Sequence, residues 1–186
     1  PNSELRTPIY PVILLTILLW AHRQGLRVPQ ELRGWGEWLR CFDGVQMNED
    51  EFELLGGAGG APWPVAAQAL GPDLKLLAVT LGPRGSAYLA GMDFEPDPFR
   101  WRRRDALSRA GSARSGRVPR DGLPRQGDPT GCGDVWGATF FARLLAGDGL
   151  EAAMAEANRL ASRNVEHRGA RGLFRHLSGR LSHVEE

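Results

Sequence analysis

Lysine is almost missing from this sequence. Of 23 lysine and arginine residues among 186, Lys75 alone is lysine. It stands between Leu74 and Leu76, so the Gly-Lys-Ser/Thr core of a phosphate-binding P-loop is excluded. No serine sits in a G-x-S-x-G elbow, no H-E-x-x-H zinc motif occurs, and the protein-kinase signatures are missing. Cysteine is scarce as well. Cys41 and Cys132 lie far apart, form no C-x-x-C, and make no ligand spacing with His22, His167, His176 or His183. The expectation is a reduced, cytoplasmic protein without a zinc site. Excess charge is also lacking. At a formal +1, no global electrostatic argument leads to nucleic acid or to a membrane surface. The most apolar stretch, residues 9–20, is shorter than the roughly 20 residues that a membrane span needs. The residues after it, Ala21-His22-Arg23-Gln24, offer no small-x-small cleavage pattern. That run is expected as buried strand and helix.

What is present is ordinary for a globular domain: 42% hydrophobic and 24% charged residues over one domain's length of chain. Strand patterns fall at 12–15, 45–47, 76–80 and 86–90, and the apolar run 76–80 suits a strand covered on both faces. Helical spacing is read over 18–24, stopped by Gly25, and again over Trp35, Trp38, Leu39 and Phe42. Further helices are expected after Asn48, over 65–70, over 135–145, from Leu150 to Ala161, and through Leu173, Leu177 and Leu181. Strand-turn-helix units of this kind predict an α/β domain with a mostly parallel sheet. One stretch breaks the pattern. Residues 91–126 carry nine arginines between Arg100 and Arg125 and little apolar period. A nucleic-acid patch and a solvated insertion or loop both fit that composition. With Phe99 and Trp101 the only aromatics next to its arginines, the insertion is the expectation.

Three short constellations carry possible chemistry. The first is Gly127-Asp128-Pro129-Thr130-Gly131-Cys132-Gly133-Asp134, followed at once by a helical pattern. A glycine turn feeding a helix N-terminus presents free N–H groups and the positive end of the helix dipole to an anion. An acid there, Asp134, is held as a carboxylate, the form a general base requires; an ordinary Asp cap is the alternative. The second is Asn48-x-x-Glu51. This spacing makes a capping box, and it also places two oxygen donors together as a hydrated Mg²⁺ ion would want them. The third is Thr80-Leu81-Gly82-Pro83-Arg84-Gly85, a glycine turn at the end of a strand, where open α/β sheets bind ligands and where a plain hairpin would look the same.

Taken in order, the three resemble the ribokinase or PfkB family of carbohydrate and nucleoside kinases. Asp128-Pro129-Thr130-Gly131-Cys132-Gly133-Asp134 is similar to that family's D-T-x-G-A-G-D signature and continues through Trp136-Gly137-Ala138-Thr139-Phe140-Phe141. Asn48-x-x-Glu51 looks like its N-x-x-E motif, and Thr80-x-Gly82-x-x-Gly85 like its T-x-G-x-x-G strand end. Ala157-Asn158 and Arg168-Gly169-Ala170 resemble its adenine-side segments. The resemblance spans about residues 45–181, with Pro129 for the usual Thr and Cys132 for Ala. It implies one partial kinase domain over 1–186: a ribokinase-like three-layer α/β/α fold in which the family's N-terminal half and β-sheet lid have no counterpart. It implies ATP as phosphoryl donor, Mg²⁺ as cofactor, and a sugar or nucleoside hydroxyl as acceptor. Asp134 would be the base, with Gly131, Cys132 and Gly133 as anion hole. Thr80, Gly82, Gly85, Asp128, Thr130, Asn158 and Gly169 would hold the nucleotide, while Asn48 and Glu51 organise the metal. The partner would be the missing half or a second copy of the chain. The alternative is a non-catalytic fragment that binds nucleotide or a partner chain.

Overall fold

The computed structural model describes residues 13–14, 20–23, 26–29, 39, 42–56, 62–71, 74–92, 94–101, 113–122 and 126–166. Strands β1 (Ile13–Leu14), β4 (Gly44–Asn48), β5 (Leu76–Thr80), β6 (Ser86–Gly91) and β7 (Ala113–Val118) form a five-stranded sheet in the order β1-β4-β5-β6-β7. The pairs β1–β4 and β4–β5 are parallel, while β6 and β7 run antiparallel to their neighbours. The sheet is therefore mixed, because the glycine turn after Thr80 sends the chain straight back as a hairpin. Strands β2 (Trp20–Arg23) and β3 (Leu26–Pro29) pair antiparallel in a separate two-stranded sheet.

Helices cover both faces. The first face receives helix α1 (Glu49–Glu53), a 3-10 turn at Leu54–Gly56, and helix α2 (Pro62–Ala69). There Val45, Met47, Leu77, Val79 and Leu89 of the sheet meet Phe52, Leu55, Ala66 and Leu70 in one buried cluster. The other face receives α3 (Cys132–Leu145) and α4 (Leu150–Asn164), which pack on each other. On that side Leu76, Ala78, Tyr88 and Ala90 meet Trp136, Phe140, Leu144, Ala153, Met154 and Ala157. Successive residues of β5 thus enter opposite cores, as the two-residue period of a strand requires. Leu144 and Met154 are 1% and 0% exposed, and burying a side chain of that size contributes about 1.5–3 kcal/mol.

Two expectations are corrected. Residues 18–24, read as a helix stopped by Gly25, instead contribute β2, with β3 as its antiparallel partner. The stretch 91–126, read as an insertion or loop, contains β7. Arginine had hidden that strand: Val118 enters the core while Ser115 and Arg117 are exposed, so alternation survives without an apolar signal. The expected helices over 35–42 and 173–181, and Gly169 among the candidate site residues, fall wholly or mainly outside the described residues. Leu39 is described; it is helical and fully buried. Among the described residues no helix is long and apolar enough to cross a membrane.

Candidate active site

Pairing register brings two of the three constellations to one edge of the sheet. Asn48 at the end of β4 pairs with Thr80 at the end of β5, and Thr80 pairs with Ser86 at the start of β6. By strand alternation all three fall on the face covered by α3 and α4: Ala78 and Tyr88, two residues from Thr80 and Ser86, enter that core, and Gln46, two residues before Asn48, pairs with Ala78. Thr80 Oγ1 donates to Met47 O at 3.5 Å. The turn after Thr80 closes with Leu81 N–H on Gly85 O at 2.8 Å. Gly82 and Gly85 take φ of 57° and 94°, values that L side chains rarely adopt. A Cβ on Gly85 would lie 2.3 Å from Val118 O, so this glycine lets the turn press on β7. At Gly82 a Cβ would meet nothing within 4 Å, which leaves that side open.

The signature turn is built from the other direction. Asp128 Oδ1 accepts Thr130 N–H at 2.9 Å, and Cys132 N–H turns back to Pro129 O at 3.0 Å. Gly131 is the N-cap of α3 in the left-handed region, φ 80°. Val135 N–H then makes the first intrahelical bond, to Gly131 O at 3.0 Å. Of the first-turn donors of α3, the amide of Cys132 is spent within the turn. Those of Gly133 and Asp134 have no acceptor among the described residues and face outward by helix geometry. Of the amides expected to meet an anion, that of Cys132 is thus engaged within the turn. Asp134 itself is exposed, on the first turn of the helix, and space for a Cβ on Gly133 is open.

What holds the turn is the end of α4. Gly127 has φ 154°, and a Cβ there would stand 1.9 Å from Val165 O. Asp128 N–H donates to that same oxygen at 3.0 Å. Asn164, fully buried, donates through Nδ2 to Thr130 O at 3.1 Å and toward Cys132 Sγ at 3.6 Å. Burial pushes the Cys132 thiol up from its ordinary value, with the amide of Asn164 opposing and the charge of Asp128 adding to the rise. Asn164 was missed in the sequence. The available signal was position: it lies seven residues after Ala157, on the buried stripe of α4, where an apolar residue is expected.

Between the two turns lies a cleft of about 260 Å³. Thr80, Gly82, Pro83 and Gly85 line one wall; Gly127, Pro129, Cys132, Gly133 and Trp136 line the other. Asn158, Ala161, Ser162 and Val165 of α4 and its end close the cleft, and Arg120 also reaches it. Asn158 lines the cleft, but its amide is occupied: Trp136 Nε1 donates to its Oδ1 at 2.8 Å, and its Nδ2 donates to Val118 O at 3.0 Å. Asp128, Thr130 and Gly131 shape the turn behind Cys132 without lining the cleft.

The Asn48–Glu51 corner stands apart from the cleft lining. It is a complete capping box: Asn48 N–H donates to Glu51 Oε2 and Glu51 N–H to Asn48 Oδ1, both at 2.8 Å. Glu51 Oε1 is buried without a hydrogen-bond partner among the described residues. Burial pushes the Glu51 carboxyl up, against the lowering effect of the Asn48 N–H, and the charge of Asp50 adds to the rise. One spare carboxylate oxygen, with no further acid cluster among the described residues, fits a metal held mainly through water, not one caged by protein.

Comparison with known proteins adds family and fold. The profile of the pfkB family carbohydrate kinases matches residues 26–175. A ribokinase from Thermotoga maritima matches with a TM-score of 0.57 and 21% identity over 74% of this chain and 40% of its own. An E. coli chain described as a ribokinase II in complex with ATP and Mg²⁺ gives 0.56 and 22%, over 80% of this chain and 42% of its own. The adenosine kinase of Sinorhizobium meliloti gives 0.53 and 24%, over 79% and 39%. The chain therefore spans about 40% of the length of these structures. No curated protein matches the sequence significantly.

Proposed function

The chain belongs to the pfkB family of carbohydrate kinases, and from that premise we propose that it carries the nucleotide-binding and catalytic side of an ATP-dependent sugar or nucleoside kinase. The observation that carries this reading is the cleft itself. It runs from the turn after β5 to the N-terminus of α3, where Gly133 lines it, the Gly133 and Asp134 amides are open, and the Asp134 carboxylate is exposed next to the lining without being part of it. Transfer of a phosphoryl group is mostly a matter of placing the reactants and stabilising charge. The two amides and the helix dipole supply partial positive charge for the transferred group. Asp134 would take the proton from the acceptor hydroxyl. Thr80, Gly82 and Gly85 would border the nucleotide, with Asn158 fixing Trp136 as a wall of the base end. Asp128 and Thr130 act by shaping the turn.

Mg²⁺ would neutralise charge on the phosphates of the bound nucleotide. Glu51 through its spare Oε1, with Asn48, would hold it through water. The acceptor site, and a partner chain or second copy to complete it, belong to the same proposal. A second reading, nucleotide binding without transfer, rests on the chain's 40% share of its structural relatives.

The test is Asp134→Asn, with ATP consumption measured against a panel of sugars and nucleosides and Mg·ATP affinity measured by calorimetry. Turnover should fall about 10²-fold or more, the scale for losing a general base, while affinity stays within about twofold. Unchanged turnover would remove Asp134 from the role. Binding without any turnover in the wild-type chain would select the second reading.

A further inference from the structure

The arginines of 113–120 are not equivalent. Arg114 lies on the core side of β7, its guanidinium 5.8 Å from the centre of the Phe94 ring and donating to Phe94 O at 3.3 Å. Arg117 is exposed and donates to Arg84 O, and Arg84 in turn pairs with Glu49. Arg120 differs from both. It lies just past β7, at the point where Gly85 presses on the chain: a Cβ on Gly85 would stand 2.8 Å from Arg120 N. Its side chain runs along the glycine turn, with Nε donating to Pro83 O at 3.4 Å and Nη2 to Gly122 O at 2.9 Å. Those two carbonyls set the guanidinium in place and leave further N–H donors unspent, since the group carries five. Among the described residues it makes no ion pair, and it is the one charged residue in the lining of the cleft.

We infer that Arg120 is a nucleotide-selecting residue: its guanidinium binds the phosphates of a nucleoside polyphosphate in the cleft. The inference rests on the nucleotide reading above. It adds to that reading the source of full positive charge. Gly133 and Asp134 offer neutral amides, and the rest of the lining is uncharged. A polyphosphate brings several negative charges into a cleft walled by Trp136, Pro83, Pro129, Ala161 and Val165. An arginine tied to two carbonyls loses less freedom when it closes on a phosphate than a free side chain does. The contribution should therefore depend on the ligand's charge and vanish for an uncharged nucleoside.

The experiment is calorimetric titration of the full chain and of Arg120→Gln and Arg120→Lys with Mg·ATP, Mg·ADP and adenosine. Glutamine keeps a donor without the charge, and lysine keeps the charge without the fork. The expected result for Arg120→Gln is a loss of about tenfold or more for Mg·ATP, the scale of a charge-assisted hydrogen bond. The loss should be smaller for Mg·ADP and less than about twofold for adenosine, with Arg120→Lys recovering part of it. Equal losses for ATP and adenosine would make Arg120 a support of the turn and overturn the inference, as would unchanged ATP affinity; in both cases the nucleotide reading stands. A wild-type chain that binds none of the three overturns both.

Discussion

The signature turn and the Asn48–Glu51 corner are both short polar motifs at helix starts, yet their hydrogen bonds run in opposite senses. At the corner, each side chain closes on the other's backbone, so Asn48 and Glu51 hold the start of α1 between them. At the signature turn no side chain caps α3. The turn is instead held from behind by Val165 and Asn164 of another element, and the donors at the front stay open. The box ties side chains down at the start of α1, whereas the start of α3 is held only from behind, with Gly133 lining the cleft in front. The difference separates a stabilising motif with one spare oxygen from the turn for which anion binding is proposed.

The sharpest way to break this comparison is to fill glycines on the two sides of the signature turn. Gly127→Ala puts a Cβ against Val165 O, where an ideal atom would lie at 1.9 Å. It should destabilise the protein by about 3 kcal/mol or more, the sum of backbone strain and a steric conflict with main chain. Gly133→Ala faces open space within a helix. There it should raise stability by up to about 1 kcal/mol, the helix propensity gain, while weakening Mg·ATP binding because the methyl group enters the cleft. Thermal melts and titrations read both. If Gly127→Ala is tolerated, the turn is not held from α4; if Gly133→Ala leaves binding intact, no phosphate reaches that helix end.

The corner gives the smaller effect. Asn48→Ala removes the cap and should cost about 1 kcal/mol. Glu51→Gln retains an acceptor for Asn48 N–H and should cost less, but it removes the spare charge at Oε1. A higher Mg²⁺ requirement for nucleotide binding in Glu51→Gln would give the corner a second task; an unchanged requirement would leave it a cap.

Much of the architecture was legible because period and burial agree. The apolar run 76–80 enters two cores, and the stripes of α3 and α4 form one cluster between them. The Gly85 turn was legible because a strand end must return. Sequence failed where two chemistries share one pattern. Leu18 to Gln24 is apolar enough for a helix, and Gly25 served as a stop when it lies between the paired strands β2 and β3. Arg114 and Arg117 concealed the alternation of β7. Within the site, the positions of the two turns were readable from glycine and acid spacing. The hold of Asn164 and the reach of Arg120 were not, because each depends on a partner more than 30 residues away. Nor could spacing show that Cys132 spends its amide on Pro129 or that Asn158 is tied to Trp136 and Val118.

The proposed kinase chemistry requires nucleotide in the cleft between the 80–85 turn and the start of α3. Hydrogen exchange measured with and without Mg·ATP tests it directly. Slowed exchange is expected in peptides covering 80–85 and 131–135, strongest at the Gly133 and Asp134 amides, with 62–70 on the opposite face unchanged. Binding of Mg·ATP that leaves exchange at 131–135 unaltered would contradict it.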